Sequence, residues 1–309
     1  FDEAKRHFEL SLDYPQDGGI QALCNFWLGE VAYKKKEFQE AITYHSKFLD
    51  LARYGKNLPE NVSKGTANYT IGYSYLKQEK YSSALTYFER TRKALPPGQS
   101  NKQLNQVAVD AMMRSGDCAF MMKNYKTALA IYGKAIKGDY PSQDYAYFQQ
   151  GMIHGLQSNY SKKINTLNDL IKDYPNSKYV DDALFEIGNT HFVERDNPSA
   201  IATFERLLRD EKNSPYVREA MMKLGLIYYN QNNDSKAMDY YTQVIDDYPG
   251  SAEAKEALLA IRDISPEAYL DRVTDASDRE RDSLNYVIAE GFYRDEDCDK
   301  AIILSLIHI

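Results

Sequence analysis

Apolar residues recur along this chain at the i, i+3, i+4, i+7 spacing of a helix face, each time around a glycine. Leu184, Ile187, Gly188 and His191 form one such set, and Met221, Leu224, Gly225 and Tyr228 form another. A polar turn follows, then a second stretch of helical period with an alanine twelve positions after the glycine. The pairs are Gly29 with Ala41, Gly72 with Ala84, Gly116 with Ala128, Gly188 with Ala200, and Gly225 with Ala237, while Gly151 is followed by Lys163. A large residue four after the alanine shares its helix face, as in Ala84 with Phe88, Ala128 with Tyr132, Ala200 with Phe204 and Ala237 with Tyr241. A glycine inside a helix costs about 1 kcal/mol relative to alanine. Six at matched positions imply a shared cause, and close approach of glycine to alanine across two helix backbones is the expected one. The pattern therefore predicts an array of helical hairpins.

The glycines stand 43, 44, 35, 37 and 37 residues apart. The first two intervals are long enough to add loops at Tyr54 to Asn61 and Leu95 to Asn101. Proline marks where second helices stop, at Tyr14-Pro15, Tyr140-Pro141, Tyr174-Pro175 and Tyr248-Pro249, because it cannot continue a helix and disfavours helical geometry before it. Ser142, Ser177 and Ser251 then read as N-caps, with Asp144, Asp181, Asp182 and Glu253 in the first turns that follow. Asn197-Pro198 reads as an N-cap and first helical residue. After Pro249 the pattern degrades: Glu253 to Ile264 predicts a first helix, and Pro266 to Val273 a stunted second one. A charged run, Asp278 to Asp282, leads into Tyr286 to Phe292, where Ala289 and Ala301 restore the twelve-residue spacing.

A small residue and an alanine at helix-packing positions, a large residue after the alanine and a terminal proline resemble the tetratricopeptide repeat. The resemblance covers roughly residues 1 to 250. It implies an all-α fold, a right-handed superhelical solenoid of antiparallel helix pairs. The longer spacing and the Tyr-Pro-x-Ser junctions, Tyr174 to Ser177 and Tyr248 to Ser251, resemble bacterial cell-envelope members. These include outer-membrane assembly lipoproteins and periplasmic Tol-associated coordinators. The expected organisation is a repeat solenoid over 1–250 and degenerate repeats over 251–303. Residues 304–309 can be written in codons as CTG TCT CTT ATA CAC ATC, which resembles a transposon adapter used in sequencing libraries. They read as non-native, and the chain, opening with Phe1 inside a helical pattern, reads as a fragment.

Composition narrows the function. A net charge of −7 argues against nucleic acid, because a phosphate-binding face needs clustered Lys and Arg, and short basic runs such as Lys34-Lys35-Lys36 sit beside acids. Cys24, Cys118 and Cys298 are too few and scattered for a disulfide framework or zinc site. No apolar run is long enough to span a bilayer. His154 and His191 fall three after the glycine, where other units carry Tyr75 and Tyr228, and read as core-lining rings without ligand partners. Asp295, Asp297 and Asp299 imitate the opening of a calcium loop, but Lys300 stands where that loop needs glycine. No nucleophilic triad or phosphate-cradling loop is present, so the expectation is a non-enzyme without cofactor or metal.

A second stripe on the first helices lies three before, one after and four after the glycine, again on one face. Its large apolar members are Phe26, Tyr33, Tyr69, Tyr73, Met113, Phe120, Phe148, Met152, Phe185, Phe192, Met222 and Tyr229. The resemblance implies that this face looks into a concave groove where a peptide binds, and that Phe148, Phe185, Phe192 and Tyr229 are at least partly exposed. Only Asn189 stands where a carboxylate-gripping Asn would, with Phe185 in place of its Lys partner, so a chaperone-tail receptor is not expected. The implied function is a protein-interaction scaffold taking a protein or peptide partner and no small-molecule cofactor. The alternative is the repeat region of a larger enzyme or signalling protein. The implied setting is periplasmic or outer-membrane-associated, with cytoplasmic the alternative.

Overall fold

A computed structural model describes residues 1–13, 17–53, 58–138 and 140–275, and its regular elements there are all α-helices. The chain divides into two compact units, one from Phe1 to Asp173 and one from Tyr174 onward. In the first, α1 (Asp2–Leu12) precedes four helix pairs. They are α2 (Gly18–Lys34) with α3 (Phe38–Leu51), α4 (Lys64–Lys77) with α5 (Tyr81–Ala94), α6 (Lys102–Met121) with α7 (Tyr125–Lys137), and α8 (Gln143–Leu156) with α9 (Tyr160–Asp173). The second unit has α10 (Val180–Val193) with α11 (Asn197–Asp210), α12 (Val217–Asn230) with α13 (Asp234–Asp247), and α14 (Ala252–Ile264) with α15 (Pro266–Asp275). Within each unit every pair packs on the next, so each is a solenoid of helix pairs. Among the described residues no helix is long and apolar enough to cross a membrane.

Six of the pairs close through one turn. The residue seven after the repeat glycine has left-handed φ: Lys36 64°, Glu79 58°, Lys123 58°, Ser158 57°, Arg195 60° and Asn232 57°. The next amide then donates to the carbonyl five residues back, as Asn124 does to Ala119 at 2.8 Å and Asp196 to His191 at 2.9 Å. This is a Schellman closure, whose left-handed position is usually glycine. A side chain there costs about 1–2 kcal/mol, and glycine's freedom in the unfolded chain offsets part of any gain. Lys123→Gly should therefore raise stability by about 0.5–1 kcal/mol; a urea midpoint that falls would contradict this account.

The alanines at the twelve-residue spacing are fully buried. The contact that requires the glycine is nevertheless not the alanine but the residue sixteen positions on. A Cβ at Gly188 would lie 2.5 Å from Phe204 Cε1, and one at Gly225 2.5 Å from Tyr241 Cε1. The same holds for Gly116 with Tyr132 at 2.6 Å, Gly72 with Phe88 at 2.9 Å, Gly151 with Leu167 at 2.6 Å and Gly29 with His45 at 2.5 Å. The alanine lets the second helix come close, and its neighbour one turn on reaches across to lie on the bare glycine backbone. The exceptional unit compensates itself: the Lys163 stem, in the alanine's place, meets Gly155, where a Cβ would sit 3.0 Å from Lys163 Cδ.

Helix starts depart from expectation in detail. Ser251 caps α14 by accepting from the Ala254 amide at 3.0 Å. Ser142 instead takes left-handed φ and makes no side-chain cap. Ser177 accepts from the Tyr179 amide inside the turn, and α10 begins only at Val180. Asp196, not Asn197, caps α11 by accepting from Ser199. Beyond Pro249, α14 and α15 match the two short helices expected. Tyr14-Pro15, the loop's opening residues from Tyr54, Cys298, the aspartate triplet at 295–299, Ala289 and Ala301, and the 304–309 segment lie outside the described residues.

Candidate functional site

In the first unit the first helices of successive pairs, α2, α4 and α6, line a partly open cavity of about 390 Å³. Phe26, Trp27, Glu30, Tyr33 and Lys34 come from α2, Thr66, Tyr69, Thr70 and Tyr73 from α4, Val107 from α6, and Asn61 from the loop before α4. Four of the expected stripe residues, Phe26, Tyr33, Tyr69 and Tyr73, thus converge on one space. They do so because positions three before, one after and four after each glycine share a helix face, and successive first helices lie side by side.

The cavity wall is held by a polar network that no apolar pattern reveals. Tyr69 Oη and Tyr73 Oη both donate to Asp110 Oδ2, at 2.8 and 2.5 Å. Arg114 donates to Asp110 Oδ1 at 3.3 Å and pairs more tightly with Asp117. Asp117 Oδ1 in turn accepts from Tyr132 Oη at 2.5 Å and Tyr145 Oη at 2.7 Å. Burial and the Asp110 charge push the Tyr69 and Tyr73 phenols well above the ordinary tyrosine range, so they remain donors. Burial alone would lower Arg114, but the Asp117 and Asp110 carboxylates outweigh it and keep the guanidinium charged.

Glu30 stands apart from that network. Its Oε1 accepts from Thr70 Oγ1 at 2.7 Å and lies 3.2 Å from Nε2 of the fully buried His45, outside hydrogen-bond alignment. Burial would raise the carboxyl, but His45 and Thr70 outweigh that and hold it below the ordinary carboxylate range. Sequence reasoning based on apolar identity misses Glu30, Trp27, Thr70 and Asp110. The signal was available for Glu30, which occupies the position one after Gly29, in the same row as Tyr73.

Position on the stripe does not by itself mean exposure. Phe26, Met113 and Phe185 are buried, at 3%, 2% and 6% exposure. The expectation that Phe185 is partly exposed is therefore corrected: its ring stacks on Tyr216 at 4.4 Å between centroids, and Tyr216 Oη is held by Asp182 at 2.6 Å. Phe26 packs edge-on against Phe48 and Trp27, and Met113 lies in the core with Ile131 and Tyr132. Phe120, Phe148, Met152, Phe192 and Met222 are half-buried, and Tyr229 is exposed. Lys223 lies 5.4 Å above the Phe192 ring. His154 and His191 are half-buried at the core margin; burial depresses the His154 imidazole, and His191 Nδ1 lies 3.5 Å from Asp196. Cys24 and Cys118 are free and buried, and burial with the Asp117 charge pushes the Cys118 thiol up to about 12.

Two family profiles match the chain: outer membrane lipoprotein over residues 61–189 and tetratricopeptide repeat over 219–251. No curated protein sequence matches it. Among solved structures, the C-terminal part of a tetratricopeptide repeat-containing protein from Cytophaga hutchinsonii is 18% identical, with a TM-score of 0.60 over 90% of this chain and 98% of that one. The apo form of RapI is 14% identical, with a TM-score of 0.61 over 99% of this chain and 79% of that one. PilF of Pseudomonas aeruginosa is 13% identical, with a TM-score of 0.50 over 76% and 96%. At such identities these structures speak for the fold alone. With six glycine-centred helix pairs on common turns and the matched repeat profile, the chain is a tetratricopeptide-repeat protein resembling cell-envelope members.

Proposed function

We propose that this protein is a non-enzymatic scaffold that holds an extended or helical segment of a partner protein against α2, α4 and α6. The observation carrying this reading is the cavity of about 390 Å³ where aromatic rings from successive first helices converge. Tetratricopeptide-repeat proteins are generally interaction scaffolds, and rigid aromatic surface is what interface anchors are made of. The Asp110 network fixes Tyr69 and Tyr73 in advance, so little side-chain freedom is lost on binding. The Glu30 carboxylate in the cavity wall, like the net charge of −7, disfavours a phosphate backbone and favours a protein partner. Resemblance to the outer membrane lipoprotein family over 61–189 supports a bacterial cell-envelope setting, periplasmic or outer-membrane-associated. In the second unit, taken by itself, half-buried Phe192 and Met222 and exposed Tyr229 are candidates for a contact of its own.

The test is capture of partners from bacterial envelope extract by wild type and by Tyr33→Ala, with thermal melts alongside. Tyr33 is half-buried, and its ring makes a tilted contact with Phe38. Its truncation should weaken the captured partner by about 2 kcal/mol if it is an anchor, with little change in the melt. A variant that stays folded and retains every partner places binding elsewhere. A large fall in melting temperature makes Tyr33 a core residue.

A further inference from the structure

The cavity between α2, α4 and α6 has a charge as well as a shape. Arg114 is committed to Asp110 and Asp117, whereas Glu30 has no Lys or Arg within ion-pair distance among the described residues: His45 faces only its Oε1, and Lys34 attracts it from farther off. Its Oε1 is taken by Thr70 and faced by His45, whereas Oε2 has no hydrogen-bond partner among the described residues. The side chain keeps 30% exposure and lines the cavity beside Trp27 and Tyr33. Lys34 also lines it, but is exposed and forms no ion pair within 4.0 Å among the described residues. An ionised carboxylate with one free oxygen among aromatic rings is complementary to a cation carried on an apolar stem. The rings contribute cation–π attraction and cover for the methylenes, and the carboxylate contributes the directed ion pair.

Building on the proposed scaffold function, we infer that this cavity accepts a lysine or arginine side chain of the bound segment. The cationic head meets Glu30 Oε2, and the stem packs against Trp27 and Tyr33. Lys34 at the margin opposes such a head at longer range, which sets the sign of its effect: removing its charge strengthens a cationic ligand and weakens an anionic one. The occupant is thus a basic protein segment rather than an acidic or purely apolar one.

Trp27 is the single tryptophan of the chain, so its emission reports on this cavity directly. The probes are acetylated, amidated heptapeptides Ala-Leu-Ser-Xaa-Ser-Leu-Ala in which Xaa is lysine, arginine, norleucine or glutamate. Lysine and arginine peptides should shift Trp27 emission saturably, with norleucine binding about tenfold more weakly and glutamate more weakly still. Glu30→Gln keeps an oxygen for Thr70, and should abolish the preference for lysine over norleucine without altering the circular dichroism melt. Lys34→Glu, at an exposed position, should tighten the lysine peptide. Equal binding of lysine and norleucine peptides, or preference for glutamate, overturns the cation inference while leaving the groove as a binding site. A lysine peptide weakened by Lys34→Glu also overturns it. If no peptide perturbs Trp27, the cavity seats no such side chain and the inference falls, while partner loss on Tyr33→Ala still decides the scaffold reading separately.

Discussion

Phe204→Ala is expected to lower the free energy of unfolding by about 3–5 kcal/mol. The ring is fully buried and occupies the space over the Gly188 backbone, so its loss leaves a cavity that neither helix can close. The complementary change, Gly188→Leu, should cost about 1–3 kcal/mol through overpacking, because even its Cβ would lie 2.5 Å from Phe204 Cε1. The two sites should also couple. In Gly188→Ala with Phe204→Ala, the added methyl enters vacated space, so the double variant should be less destabilised than the sum of the single ones. Denaturant midpoints of the four proteins supply the cycle, and strict additivity would mean that the ring does not depend on the glycine.

Asp117→Ala should be comparably severe. It removes the acceptor of the Tyr132 and Tyr145 hydroxyls and one of two carboxylates neutralising Arg114. Tyr132 is fully buried and the Asp117 side chain is 16% exposed, so water replaces these partners poorly. Breaking such a pair from one side typically costs about 3–5 kcal/mol. Asp117→Asn retains one acceptor oxygen and the volume, and should lose less. Thermal melts in which the alanine variant is no worse than the asparagine one would show that the hydroxyls and Arg114 find other partners.

Much of this architecture is legible in the residues. The glycine, the alanine twelve on and the large residue after it fall on predictable helix faces, because α-helical periodicity is local and independent of the partner helix. The helices Ala252–Ile264 and Pro266–Asp275 were readable for the same reason, with Pro266 opening the second one. Local chemistry is less decisive at the starts of helices. Ser251 caps as its type suggests, but Ser177 binds an amide within the turn and Ser142 adopts left-handed φ. A serine near a proline has several backbone donors within reach, and the path of the chain selects among them.

Side-chain identity was a weaker guide to the candidate site. Phe26 and Tyr33 are both large residues on one face of α2, yet Phe26 is buried against Phe48 while Tyr33 stays half-exposed at the cavity. What separates them is the course of the neighbouring helices, which no helical period encodes. The sequence by itself determined the helix pairs and which face of each first helix carries the aromatic rows, because these depend on spacing within one helix. Only the tertiary structure decided that each glycine seats a ring from sixteen residues on. It also decided that Asp110 and Asp117 gather tyrosines from separate helices, and that Glu30 keeps an oxygen open to the cavity. These are contacts between segments, set by how closely the helices approach and by which polar groups are then denied water.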